Sequence, residues 1–338
     1  MEALNGAAKR VPVSESSQLA EARRVALGLA RAAGFDETKA GKAAIAVTEA
    51  ASNLLKHAGR GEILLQTLDD KRRGRGVEML ALDKGPGIEN VGESLRDGYS
   101  TAGSAGEGLG AISRQADVFD IYSRPGLGTG ILAQFWARPA TVPEVFETGG
   151  ISIAVEGEQV CGDVWSFRVT PDGMSAFVAD GLGHGSLAEA AARNAVVAYE
   201  SHAAEPLPEL LDVVHRASQS TRGAAVAVAR LNPASRRVEF AGVGNIAAVL
   251  AGAGGMRHMV SMSGIIGHHV RSFREFTYEW EPGALLILHS DGVGTRWDLA
   301  AYPGLARKHC SLIAGVLWRD MARGRDDATV FVAREGSR

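Results

Sequence analysis

Three glycine-rich turns follow a two-helix segment in a fixed order, and that order limits the folds open to the first half of the chain. Asp83-Lys84-Gly85-Pro86-Gly87-Ile88 stands at the end of a β-like run, Gly106-Glu107-Gly108-Leu109-Gly110 opens a helix, and Gly128-Thr129-Gly130 enters a strand. Singly, each motif is weak. In this order they describe a backbone cleared of side chains at three turns, as a phosphate-bearing ligand requires. The 42 glycines among 338 residues follow no Gly-X-Y period, so their excess belongs to turns rather than to a collagen helix.

Upstream of these turns, Leu19, Ala22, Val25, Ala26 and Leu29 recur at helical spacing and Gly34 closes the segment. Asp36 is expected to cap a second helix running to about His57. On it Glu49, Asn53 and His57, spaced by four, fall near one face. Two β-rich runs, 62–68 and 77–82, flank the basic loop Lys71, Arg72, Arg73 and Arg75, which reads as a solvated hairpin turn. Periodicity lapses among Pro139, Pro143, Gly149 and Gly150, and a domain boundary is expected near residue 145. Beyond it lie many short β-like runs and helical segments at about 187–202, 207–218 and 306–323. The fold class is therefore α+β in two domains: an N-terminal extension 1–15, a first domain 16–138, a linker 139–149 and a second domain 150–338.

A net charge of −3 and a pI near 6.3 supply no bulk attraction to nucleic acid or anionic lipid. The two cysteines, Cys161 and Cys310, form no C-x-x-C pair, which argues against a disulfide framework and a thiolate zinc site. No apolar run reaches the roughly 18 residues of a membrane span. The expectation is a cytoplasmic protein with neither nucleic-acid nor membrane partners.

The first-domain residues fit a nucleotide pocket without a Walker loop. Gly106, Gly108 and Gly110 let backbone N–H groups approach phosphates at a helix N-terminus. Asp83, fixed by the turn after it, can accept a hydrogen bond from an adenine amino group. Asn53 supplies a hard oxygen for Mg²⁺, and Glu49 one turn earlier can act as general base toward the group attacking the γ-phosphate. His57 reads as structural or hydrogen-bonding. Through TEAASNLLKH, LDKGPGI, EGLGAISRQADVFDIYS and GLGTG, residues 16–137 resemble the GHKL (Bergerat) ATPase fold, specifically the bacterial anti-sigma-factor serine kinases. The resemblance implies an ATP-binding α/β sandwich, nucleotide contacts that also include Gly85, Gly87, Leu109 and Thr129, and phosphorylation of a Ser or Thr on a STAS-domain partner.

In the second domain, acidic residues recur at strand ends: Asp163, Asp180, Asp291, and Asp326 with Asp327. An isolated Asp-Gly is usually a turn, but three Asp-bearing turns in this order suit hard divalent ions. Through CGD, VADGLGHG, LHSDGVG and RDDATVFVA the stretch 150–334 resembles the metal-dependent PPM phosphatases of the bacterial SpoIIE and RsbX branch. That resemblance implies an α-β-β-α sandwich and two Mn²⁺ or Mg²⁺ ions on Asp163, Asp180, the Gly181 carbonyl, Asp291 and Asp326, with Asp327 ranked below Asp326. His184 reads either as the proton donor to the leaving oxygen or as a support for its turn, and His268 and His269 as loop residues.

Together the two resemblances imply a bifunctional protein kinase and phosphatase acting on STAS-type proteins, with a sigma factor or a stressosome-like complex as further partners and a homodimer compatible with either. The alternative is a phosphatase whose first domain only binds nucleotide or sequesters a sigma factor. A DNA-handling ATPase would instead call for a transducer domain and a basic surface after residue 140.

Overall fold

The computed structural model describes residues 7–95, 108–140 and 145–336, and these divide into two compact units. Residues 8–140 together with the segment Arg307–Arg319 form the first; 145–306 and 320–336 form the second.

The first unit contains β1 (Lys9–Val13), α1 (Ser17–Ala32), α2 (Glu37–Asn53), β2 (Gly61–Asp70), β3 (Gly74–Leu82), α3 (Val91–Ser94), α4 (Gly108–Gln115), β4 (Val118–Arg124) and β5 (Gly128–Trp136). The strands make an antiparallel sheet in the order β1-β2-β3-β5-β4. Alternation along β3 sends Met79 and Ala81 into a core with Ala22, Ala26, Ala43, Val47 and Ala50, so alanine-rich helices lie against one face of the sheet. Asp36 caps α2, its Oδ1 accepting from the Lys39 N–H at 2.7 Å. The α-helix ends at Asn53 and a π-helical turn, Leu54–Ala58, follows. Its wider winding takes His57 off the four-residue step shared by Glu49 and Asn53.

The β2–β3 turn is built on Asp70, whose Oδ1 accepts from the Arg72 and Arg73 N–H groups at 2.8 and 2.6 Å. Arg73 differs from the expected solvated loop: it is buried, with its guanidinium 4.3 Å from the centroid of the Trp136 ring.

The second unit contains β6 (Phe146–Ile153), β7 (Asp163–Thr170), β8 (Gly173–Gly181), α5 (Ser186–His202), α6 (Leu207–Ala217), β9 (Ala224–Asn232), β10 (Arg237–Val243), β11 (Ala247–Gly252), β12 (Gly255–His258), β13 (Phe276–Glu279), β14 (Leu285–His289) and β15 (Ala328–Glu335). Between β14 and β15 runs α7 (Cys310–Met321), most of which groups with the first unit. Two five-stranded sheets, β13-β10-β9-β8-β7 and β12-β11-β14-β15-β6, face each other across a core that includes Trp165, Phe240, Leu286, Leu288 and Phe331. Helices α5 and α6 cover the outer face of the first of these sheets through Val196, Tyr199, Leu210, Leu211 and Val214. The architecture is α+β, an ATPase-like domain followed by an α-β-β-α sandwich. Among the described residues no helix is long and apolar enough to cross a membrane.

Candidate active sites

In the first unit, α2 and α4 bring the polar residues together. A Cβ on Gly108 would stand 3.2 Å from both Asn53 side-chain polar atoms and 3.5 Å from Glu49 Oε2, so both side chains face the first residue of α4. Glycine leaves the space between these side chains and the helix start free of a Cβ. Leu109 packs against the helical core and Gly110 is buried, fixing the helix start. Gly106 lies outside the described residues.

Asp83 sits where β3 ends. Its Oδ1 accepts from the Gly85 N–H at 2.8 Å and the Thr129 N–H at 3.2 Å. Among the described residues these are its side-chain hydrogen bonds, and both fall on Oδ1. Burial pushes the Asp83 carboxyl up; the two backbone N–H groups and the Arg319 guanidinium act against that rise. The Thr129 hydroxyl is tied to Ser123 Oγ at 2.7 Å. Gly87 and Gly128 both have positive φ, 75° and 80°, and a Cβ on Gly128 would collide with the Asp83 carbonyl oxygen.

In the second unit, strand ends position the acids. Asp163 and Asp180 are directly opposed across β7 and β8, so their side chains leave the same face. Ser290 and Asp291 follow β14 while Asp326 and Asp327 precede β15, and β14 and β15 are paired neighbours. Ser290 Oγ donates to Asp163 Oδ2 at 2.6 Å and accepts from the Thr329 N–H at 2.9 Å. Asn245 Nδ2 donates to Asp291 Oδ2 at 2.6 Å. Both Asp327 oxygens are occupied, by the Val155 N–H at 2.7 Å and the Gly162 N–H at 2.6 Å. Asp327 therefore braces the turn, and Asp326 Oδ1 in turn accepts from the Asp327 N–H at 2.9 Å.

Burial raises the carboxyl of Asp163 well above the ordinary range, with the nearby Asp327 and Asp326 adding to it. Asp180 rises too, by burial first and then by Asp163, Asp291, Asp326 and Asp327. Acids that raise one another's pKa and offer hard oxygens fit divalent cations chemically. Among the described residues no group of three or more His, Cys, Asp or Glu side chains is placed to hold a metal ion.

His184 Nδ1 lies 2.6 Å from Glu158 Oε1 on an exposed loop. The sequence reading missed Glu158, Asn245, Ser290 and Arg319. Ser290 lies inside the quoted LHSDGVG stretch and was legible in principle; Asn245 and Arg319, far from any motif, carried no local signal.

Residues 13–135 match the family model described as the histidine kinase-like ATPase domain, and residues 170–335 match that of stage II sporulation protein E, SpoIIE. The serine/threonine-protein kinase RsbT of Bacillus subtilis is 34% identical over 117 residues, spanning 35% of this chain and 87% of RsbT. The phosphoserine phosphatase RsbX of the same organism is 27% identical over 139 residues, spanning 41% of this chain and 70% of RsbX. A chain solved in work on the bacterial stressosome, described as a modular system adapted to control secondary messenger signalling, shares 30% identity at a TM-score of 0.53. That match covers 56% of this chain and 100% of the other. With the two family models matched one after the other along the sequence, the chain belongs to the proteins in which an RsbT-like, histidine kinase-like ATPase domain is fused to a SpoIIE/RsbX-like PPM phosphatase domain.

Proposed function

We propose that the chain is a bifunctional switch enzyme: an ATP-dependent protein serine/threonine kinase in its first unit and a metal-dependent phosphoserine/phosphothreonine phosphatase in its second. Its substrates are STAS-type proteins in a partner-switching pathway controlling sigma factor activity or a stress response. The observation that carries the kinase half is the pairing of Glu49 with Asn53 against Gly108, since binding nucleotide requires no carboxylate at that place.

In the kinase reaction Asp83 accepts from the adenine amino group, and the backbone N–H groups at the start of α4 face the phosphates. Asn53 offers its amide oxygen to Mg²⁺, which when bound offsets charge on the phosphate oxygens. Glu49 takes the proton of the attacking Ser or Thr hydroxyl as its oxygen bonds to the γ-phosphorus and the bridge to ADP breaks.

In the phosphatase reaction Asp163, Asp180, the Gly181 carbonyl, Asp291 and Asp326 would hold two Mn²⁺ or Mg²⁺ ions. The chemistry such ions would supply is a lowered pKa for a nearby water and charge to offset the phosphate. Ser290 and Asn245 hold Asp163 and Asp291 in place. His184, oriented by Glu158, gives a proton to the departing Ser or Thr oxygen and regains one from solvent.

The test is to incubate the full chain with STAS proteins, phosphorylated and not, with and without ATP, alongside Glu49→Gln and Asp180→Asn, and to read the phosphate by mass spectrometry. Glu49→Gln is expected to lose labelling alone, and Asp180→Asn to lose dephosphorylation alone. A chain that never labels a STAS protein, yet changes its dephosphorylation rate when nucleotide is added, would be a phosphatase regulated by its first unit.

A further inference from the structure

The first unit borrows a segment from far along the chain. Arg307–Arg319 belongs to it although the next described stretch, from residue 320, belongs to the second unit. The segment is fastened at both ends and in the middle. At its start Lys308 Nζ donates to Asp120 Oδ1 at 3.0 Å and the His309 N–H to Asp120 Oδ2 at 2.8 Å. Midway, Leu312 and Val316 lie 3.1 and 3.2 Å from where a Cβ on Gly130 would be, and a Cβ on Gly315 would be 3.1 Å from Leu80. At its end Arg319, 9% exposed, donates through Nη1 to the Asp83 carbonyl oxygen at 2.8 Å.

That carbonyl belongs to the residue expected to read the nucleotide base. The Asp83 carboxylate is oriented by the Gly85 and Thr129 N–H groups, and the close approach of Gly128 fixes its backbone from one side. Arg319 fixes the carbonyl and places its positive charge beside the carboxylate, opposing the rise that burial imposes. We propose that Arg319 is a positioning residue for the nucleotide site: α7 completes the ATPase unit by holding Asp83 where it discriminates adenine from other bases. The proposal rests on the reading of Asp83 as the adenine acceptor. Proteins made of the first unit's strands and helices alone would lack this brace.

The test measures binding of fluorescent ADP and GDP analogues to the full chain and to Arg319→Ala, Arg319→Lys and Asp83→Asn, with thermal melts as a check on folding. Arg319→Ala is expected to weaken ADP binding about tenfold, the size of one charge-assisted hydrogen bond. It is also expected to narrow the ADP-over-GDP preference, with Arg319→Lys falling between it and the parent. A purely structural role would weaken both nucleotides equally, and an unchanged ADP/GDP ratio in a folded Arg319→Ala or Arg319→Lys variant would overturn the proposal. If Arg319→Ala does not fold, the Arg319→Lys ratio decides. A parent chain that binds neither nucleotide would instead bring down the nucleotide-site reading itself, and this proposal with it. Adenine preference lost in Asp83→Asn but intact in both Arg319 variants would sink the positioning role alone.

Discussion

At the scale of single residues, chemistry and stability pull in opposite directions. Glu49 stands beside Asn53 and the start of α4, where the proposed phosphoryl transfer calls for a base. Glu49→Gln keeps shape and polarity, so phosphoryl transfer should fall by about 10²–10⁴-fold while ADP affinity stays near the parent's, as binding titration beside a transfer assay would read. Asp180 is the reverse case. Its raised pKa means that the folded state holds its proton more tightly than the unfolded one. That contribution to stability is complete below the unfolded value of about 4 and is lost as the pH rises through the elevated folded value. In EDTA, Asp180→Asn should therefore melt higher than the parent at pH 7.5, with a smaller difference at pH 5. Added Mn²⁺ should stabilise the parent, by about 2.7 kcal/mol at a hundred times its Kd, and do much less for the variant. Equal melting temperatures in EDTA at pH 7.5 would mean that neither burial nor the neighbouring acids raise the Asp180 carboxyl.

At the scale of elements, the strong periodicities were legible and the exceptions have local causes. The helices α1 and α2, the β2–β3 hairpin and the strand ends bearing the acids follow from spacing and turn chemistry. Strand β1 was hidden because Pro12 breaks a strand pattern; it is tolerated because β1 is an edge strand, paired among the described residues with β2 alone. Strand β6 begins at Phe146, in a stretch that reads as linker because of Gly149 and Gly150. At Gly150 a Cβ would fall 2.8 Å from the Trp165 ring, so the glycine marks a strand under an indole rather than a hinge. That the acids stand at the ends of strands could be read from the motifs, whereas their hydrogen-bond partners could not. Asn245 reaches Asp291 across 46 positions, and Ser290 reaches Asp163 across 127. For α7, periodicity marks the helix but not what it touches: ten of its twelve residues are buried. Its docking leans on Asp120, which receives both Lys308 and the His309 N–H. Asp120→Ala should cost about 1–2 kcal/mol, a lost backbone cap plus a partly exposed ion pair, visible as a lower urea midpoint at unchanged slope.

At the scale of the whole molecule, a linear reading yields one cut near residue 145, whereas the first unit takes Arg307–Arg319 from beyond it. This affects what the first unit can do by itself. A fragment ending at residue 140 would keep its helices on one sheet face but lose the contacts that Leu312, Gly315 and Val316 make at Gly130 and Leu80 on the other. Each large aliphatic side chain returned to water costs about 1.5–3 kcal/mol, comparable in sum to the whole stability of a domain of this size. Such a fragment should melt lower and self-associate, and it should recover when residues 307–319 are rejoined through a flexible Gly/Ser linker. Size-exclusion chromatography and thermal melts of the two fragments compare them directly. A monomeric fragment 8–140 as stable as the rejoined one would show that the sheet face needs no cover. Recovery that depends on the apolar residues of α7, with Arg319 already changed to alanine, would separate the helix's packing role from the positioning of Asp83.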